Sequence, residues 1–299
     1  MADSLWKFVL GNPEHKDWTL DVFKTFCKSD CDDPNDLTIL TIDNAVFVNL
    51  KNDVSFIVGN TMCLCEHQTT VNPNMPIRCL PYVGMNAAKV IELFRIRVFS
   101  ELEQWFPTIK CLCFYCGRKD VEEERILRLS DICAKNSDPE SDVDLRVRMV
   151  NIRPGSRPQY TESCKPLTDY AWFIEAARNR ADKLGDPAKG ADAAIDAMSD
   201  DNILKPFLLA HRAEVTMKFS NEYDEEQYWN DVWEDGIEVG RNEGKIEGKI
   251  EGKIEGKIEI LADLVESGDL SLSAAAKKLG VTVPTFKKKL KELALMVAQ

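Results

Sequence analysis

The chain has 299 residues, enough for one large or two modest domains, and its 44% hydrophobic and 29% charged residues are ordinary for a soluble globular protein. No apolar run reaches the roughly 20 residues that span a membrane, and the start MADSLWKFVLGNPEHKDW lacks the basic end and apolar core of a signal peptide, so the expected location is cytoplasmic. The net charge of −12 argues against nucleic-acid binding over the whole surface, because phosphate is held largely by Lys and Arg. The charge is uneven, however. Lys277, Lys278, Lys287, Lys288, Lys289 and Lys291 against Asp269 and Glu292 give residues 268–299 a balance of +4 and leave −16 elsewhere.

Residues 17–29 read as a helix, with Leu20, Phe23 and Phe26 at helical spacing to pack on a sheet. Residues 30–36 are a polar loop broken by Pro34. Residues 38–50 read as a strand, a turn at Asp43-Asn44 and a second extended segment, which delivers the acid Asp53. Val54 to Val58 is β-branched and aromatic, Gly59-Asn60 is a hairpin signal, and Thr61 to Gln68 is the return strand. Alternation then puts Leu64, Glu66 and Gln68 on one face and Cys63, Cys65 and His67 on the other. Two carboxylates on neighbouring strands are hard oxygen ligands that suit Mg²⁺, which binds phosphate oxygens and acidifies a water. The plain alternative is a solvated carboxylate at a strand end.

After Gln68 the prolines at 73, 76 and 81 predict irregular chain, and a helix is expected over 87–105 from Val90, Ile91, Phe94, Val98, Leu102 and Trp105. Arg78 has two readings, a phosphate clamp or the partner of a local acid. Residues 109–115 read as a buried strand. Its Cys111, Cys113 and Cys116, like the other cysteines of this long chain without a secretory signal, are expected as buried thiols ahead of a structural zinc, since His15, His67 and His211 form no local ligand pair. Residues 143–152 give a further strand, and 164–228 turn helical.

Residues 243–258 are four copies of Glu-Gly-Lys-Ile. Its glycines and its like charges four residues apart make an isolated helix marginal, so the repeat reads as a linker that becomes helical when it packs or self-associates. Residues 260–299 read as three short helices, 261–266, 271–279 and 282–295, with Gly280 at the turn. This is helix-turn-helix order: Lys287, Lys288 and Lys289 would anchor on DNA phosphates, and Thr282 or Thr285 would reach a base edge. The alternative is a partner-binding tail with solvated lysines.

The wording of residues 51–82 adds to this. Lys51-Asn52-Asp53-Val54-Ser55-Phe56, Glu66-His67-Gln68-Thr69-Thr70, then Asn72-Pro73-Asn74-Met75-Pro76-Ile77-Arg78 and Tyr82 resemble the recombination-promoting nuclease (Rpn) family, often labelled PD-(D/E)XK nuclease family transposase. Looser likeness extends over roughly residues 15–240. It includes the segment at Asp21-Val22-Phe23-Lys24, with Asp21 either an extra acid of the site or an exposed helix aspartate, and Tyr115-Cys116-Gly117, where the family has Tyr-Asn-Gly. The Tyr-Glu pair that follows the family's arginine is missing here.

The resemblance implies an α/β restriction-endonuclease-like (PD-(D/E)XK) core over 1–160, a helical extension over 161–240, the repeat linker over 241–259 and the helix-turn-helix-like tail over 260–299. It implies a DNA endonuclease using Mg²⁺, or Mn²⁺ or Ca²⁺, linked to recombination or defence against mobile DNA. Asp53, Glu66 and the His67 backbone carbonyl would hold the metal. Gln68, where many such enzymes have lysine, would position the water, and Arg78 would bind phosphate. DNA is the expected partner, with no membrane and with self-association left open. The rival readings are a catalytically weak DNA-binding protein of the same fold and a transposase, for which the three-acid order of that chemistry is missing.

Overall fold

The computed structural model describes residues 4–27, 31–40, 53–133 and 141–297. They form two compact units, Met1–Gln227 and Tyr228–Gln299.

The first unit is built on a six-stranded mixed sheet. Its strands are β1 (Leu37–Ile39), β2 (Val54–Val58), β3 (Thr61–Gln68), β4 (Thr108–Tyr115), β5 (Glu124–Arg128) and β6 (Arg146–Asn151), in spatial order β1-β2-β3-β4-β6-β5. β2 and β3 form the expected hairpin, with Gly59 at φ 54°, a left-handed conformation that favours glycine. β4 runs parallel to β3 and β6 parallel to β4, while β5 closes the far edge antiparallel. A parallel step needs a crossover, and helix α3 (Met75–Leu93) lies in the β3–β4 connection.

Alternation along the strands makes two cores. One face sends Met62, Leu64, Cys111, Cys113, Tyr115 and Met149 toward Met75, Cys79 and Tyr82 of α3. The other sends Val54, Phe56, Cys63, Cys65, Leu112 and Phe114 into a larger core. That core is filled by α1 (Leu5–Leu10), α2 (Lys16–Phe26), α4 (Lys165–Leu184), α5 (Pro187–Asp196), α6 (Lys205–Ala210) and the first turns of α7 (Arg212–Glu266). The unit is therefore α/β with helices on both faces of the sheet. α5 lies so close to α4 that a Cβ at Gly190 would come within 2.5 Å of the Ala181 nitrogen.

One reading needs correction. The helix expected at 87–105 lies at Met75–Leu93. Pro76 sits in its first turn, where a missing N–H costs nothing, and Pro81 is tolerated inside it. The helix ends because Arg95 turns left-handed at φ 53°, so Val98, Leu102 and Trp105 lie on irregular chain and are exposed. The extended segment before Asp53 falls outside the described residues, as do Lys51 and Asn52. The sheet and residues 161–227 lie in one compact unit. All ten cysteines are free and eight are buried, with Cys111 and Cys113 facing α3 and Cys116 in the opposite core.

In the second unit the end of α7, α8 (Leu272–Leu279) and α9 (Val283–Val297) enclose a small core of Ile258, Leu261, Ala275, Ala276 and Phe286. Ser271 caps α8, its hydroxyl accepting from the Ala274 N–H, and Gly280 ends it at φ 75°. The Glu-Gly-Lys-Ile repeat is helical throughout, within α7.

Candidate active site

Asp53 stands at the entry to β2 and Glu66 two residues from the end of β3. The hairpin register pairs Val54 with Cys65, which brings the Asp53 backbone alongside Glu66. The Asp53 N–H donates to Glu66 Oε1 at 3.1 Å. Asp53 accepts in turn, Oδ1 from the Ser4 hydroxyl at 2.6 Å and Oδ2 from the His67 N–H at 2.8 Å. Glu66 Oε2 accepts from Arg78 Nη2 at 2.9 Å. Four internal donors thus meet the four carboxylate oxygens.

Glu66 is 1% exposed. Burial, reinforced by the Asp53 charge, pushes its carboxyl well above the usual range against the pull of Arg78. Burial also raises Asp53, offset by the bonds from Ser4 and His67. The Arg78 that reads from sequence as a phosphate clamp or the partner of a local acid is here paired with Glu66. It reaches that position because α3 starts at Met75 and its first turn lies against the Glu66 face of β3.

Gln68 shares that face. Its Nε2 lies 2.7 Å from Met75 Sδ, while its buried Oε1 has no partner among the described residues. The end of β3 is held by backbone: the Cys116 N–H donates to the Gln68 carbonyl at 2.9 Å. Gly117 presses on the next residue, where a Cβ would meet the Thr69 oxygen at 1.8 Å. The glycine of Tyr115-Cys116-Gly117 is required by that close approach.

His67 points the other way. Its ring stacks on Trp6 at 5.3 Å and meets Tyr170 edge-on at 5.5 Å. Burial, with the nearby Arg178 charge, lowers it to about 3, so the ring is neutral. Asp21 is not brought into the site. It is exposed on α2, in the layer across the sheet from Glu66. Ser4 and Trp6 were not singled out from sequence. The signal was there: a capping serine before Leu5, Trp6, Val9 and Leu10, apolar at helical spacing.

In the second unit Lys287, Lys288 and Lys291 are exposed on α9, and Lys289 is half-buried. Thr282 is committed locally: its Oγ1 lies 2.8 Å from Thr285 Oγ1 and accepts from the Thr285 N–H, capping α9. Thr285 is exposed.

No family model, curated protein or solved structure matches this chain. Among the described residues no helix is long and apolar enough to cross a membrane. Nor do three or more His, Cys, Asp and Glu side chains gather to hold a metal ion. The oxygen set itself is hard. Each carboxylate oxygen uses one lone pair in the bonds above and keeps another, and the orphaned Gln68 Oε1 adds a carbonyl oxygen on the Glu66 face. The chemistry of these donors fits a hard divalent cation, with Arg78 as the competitor for Glu66.

Proposed function

We propose that the first unit is a DNA endonuclease of the PD-(D/E)XK kind, and that Asp53, Glu66 and the His67 backbone carbonyl hold a Mg²⁺ ion, for which Mn²⁺ or Ca²⁺ can substitute. The observation that carries this is the convergence of Asp53 and Glu66 across the β2–β3 hairpin, joined by the Asp53 N–H bond to Glu66. The order of α2, three antiparallel strands, α3 and a parallel fourth strand supports the same reading, as does the resemblance of residues 51–82. When bound, the ion supplies Lewis-acid stabilisation of phosphoryl charge and an acidified water.

The chain's own residues do the rest. Ser4 and the His67 N–H hold the Asp53 carboxylate in place. Gln68 orients the attacking water through its free amide oxygen. Arg78 pairs with Glu66 in the structure, and its guanidinium would suit a substrate phosphate oxygen if Glu66 were to hold a cation. Metal entry also requires both carboxyls to ionise, so affinity rises with pH as the raised carboxyls lose their protons. The basic tail supplies DNA affinity that a core of −16 lacks. The resemblance of residues 51–82 supports a role in recombination or in defence against mobile DNA, with the cytoplasm as the proposed location.

The test is nicking of supercoiled plasmid with Mg²⁺ or with EDTA, by the wild type and by Asp53→Ala and Glu66→Ala. The expected outcome is Mg²⁺-dependent nicking that falls at least ~100-fold in both variants, the scale of losing a preorganised charge-stabilising group. Nicking that survives both substitutions contradicts the assignment. Absence of nicking in the wild type leaves the second reading, a DNA-binding protein whose Glu66–Arg78 pair is structural. Truncation at Gly268 should weaken DNA binding at low salt about tenfold or more, and unchanged affinity would remove the tail from the account.

A further inference from the structure

Cys27 and Cys63 meet across two elements of the larger core, their Sγ atoms 3.6 Å apart. Cys27 ends α2, in extended backbone at φ −122°, and Cys63 is the third residue of β3. Both thiols are free. Closing the sulfurs to the roughly 2.05 Å of a disulfide takes about 1.5 Å of movement. Cys27 stands at the helix end, its N–H donating to the Phe23 carbonyl at 2.8 Å, so its side chain can turn without breaking the helix ladder.

The pair is asymmetric. Cys63 is fully buried, whereas Cys27 keeps 6% of its surface exposed. Two cations stand on the same face of the sheet. Lys110 is the partner of Cys63 in the β3–β4 register, and Arg148, the partner of Leu112, lies over the Phe26 ring at 5.5 Å. The hydrogen bond with Cys63, aided by the Lys110 and Arg148 charges, holds the Cys27 thiol below its usual range against burial. The same bond, with burial, pushes Cys63 well above it. Cys27 is thus the nucleophile of the pair and Cys63 the thiol that answers it.

We propose that Cys27 and Cys63 are a modification site at which peroxide forms a reversible disulfide between α2 and β3. The Cys27 thiolate attacks one oxygen of hydrogen peroxide. The O–O bond breaks, hydroxide leaves and takes up the proton that Cys27 gave up, and Cys27 becomes a sulfenic acid. The Cys63 sulfur then attacks the Cys27 sulfur, and the sulfenic oxygen leaves as water with the Cys63 proton. In sum two thiols and one peroxide give one disulfide and two waters. A dithiol reverses the bond by exchange. The bond closes the chain from residue 27 to residue 63, which constrains the unfolded state and makes the oxidised first unit the more stable. This holds whatever reaction the Glu66 face carries, because Cys63 points into the opposite core.

The test is peptide mapping of the full chain, reduced, freed of reductant, treated with a few equivalents of hydrogen peroxide, blocked with iodoacetamide and digested with trypsin. The expected product joins the peptide of residues 25–28 to that of residues 52–78, with Cys63 and not Cys65 in the bond on fragmentation. It should be missing from Cys27→Ala and from Cys63→Ala, and should persist when Cys31→Ser with Cys133→Ser removes the two thiols that are not buried. The wild-type map decides by itself if Cys63→Ala fails to fold. The oxidised wild type should melt about 5 °C or more above the reduced one, a gain that dithiothreitol abolishes and Cys27→Ala lacks. No bond, or a bond from Cys27 to Cys31 or Cys65, overturns the proposal, as does a Cys27–Cys63 bond that leaves the melting temperature unchanged or lowers it.

Discussion

Glu66 and His67 are neighbours on β3, equally hidden from water at their polar tips, and they meet opposite fates. Glu66 faces α3, where Arg78 stands 2.9 Å from it and the Asp53 N–H binds its other oxygen. His67 faces Trp6 and Tyr170, and its Nε2 has no hydrogen-bond partner among the described residues. One side chain has kept a countercharge and the other has given up its charge. A buried ionisable group has these two ways to be tolerated, pairing or neutralisation, and a strand that alternates its faces uses both within two residues.

The largest expected effect comes from exchanging those fates. His67→Glu places a carboxylate against Trp6 and Tyr170 without the direct arginine bond that Glu66 has, Arg178 being near but bonded to the Cys116 carbonyl. It should destabilise the chain by about 4 kcal/mol or prevent folding, whereas Glu66→Gln should cost about 1–2 kcal/mol. Urea unfolding of the two variants measures both, and equal costs would break the contrast.

Arg78→Ala comes next. It strands Glu66 without its countercharge and should cost about 2 kcal/mol, below the roughly 3–5 kcal/mol of a fully buried pair because the Arg78 side chain is 37% exposed. The sign with pH follows from the raised carboxyl. A folded Glu66 that holds its proton above the unfolded value makes the chain less stable as pH rises from about 4.5 upward. Removing Arg78 should therefore cost more at pH 8 than at pH 5, a difference that a pH series of unfolding curves reads directly.

The last effect lies on the other face and is confined to acid pH. His67 sits at about 3 in the folded chain against 6.5 unfolded. Its contribution is fully present above pH 6.5 and is lost as pH falls toward 3, by up to about 1.4 kcal/mol per pH unit. His67→Phe keeps a stacking ring on Trp6 and should flatten that part of the acid limb. An unchanged acid limb would mean that His67 is charged in the folded chain.

The alternation that separates these faces was legible in the sequence, because Gly59-Asn60 fixes the hairpin and the period of two does the rest. The pairing of Asp53 with the Glu66 strand followed from the same turn. The Arg78 contact was left open because residues 73–81 read as irregular: three prolines masked a helix that accepts one in its first turn and another in its interior. The apolar run at 94–105 misled in the opposite sense, since helical spacing says nothing of a left-handed Arg95 that ends the helix. Ser4 lies 49 residues from Asp53, and the Trp6 platform about sixty from His67, and no local pattern links them. The bounds of α8 were legible within a residue, because a capping serine and a left-handed glycine mark its ends, whereas the short helix expected at 261–266 is the end of the long α7.

The central claim is that Asp53 and Glu66 form a cation site over which Arg78 stands guard. Titration of the protein with Mn²⁺, followed by electron paramagnetic resonance of the free ion, tests it most directly. The account predicts one site that Asp53→Asn and Glu66→Gln each abolish and that Arg78→Gln tightens by about tenfold. Mn²⁺ binding that is indifferent to Asp53→Asn and Glu66→Gln would contradict it.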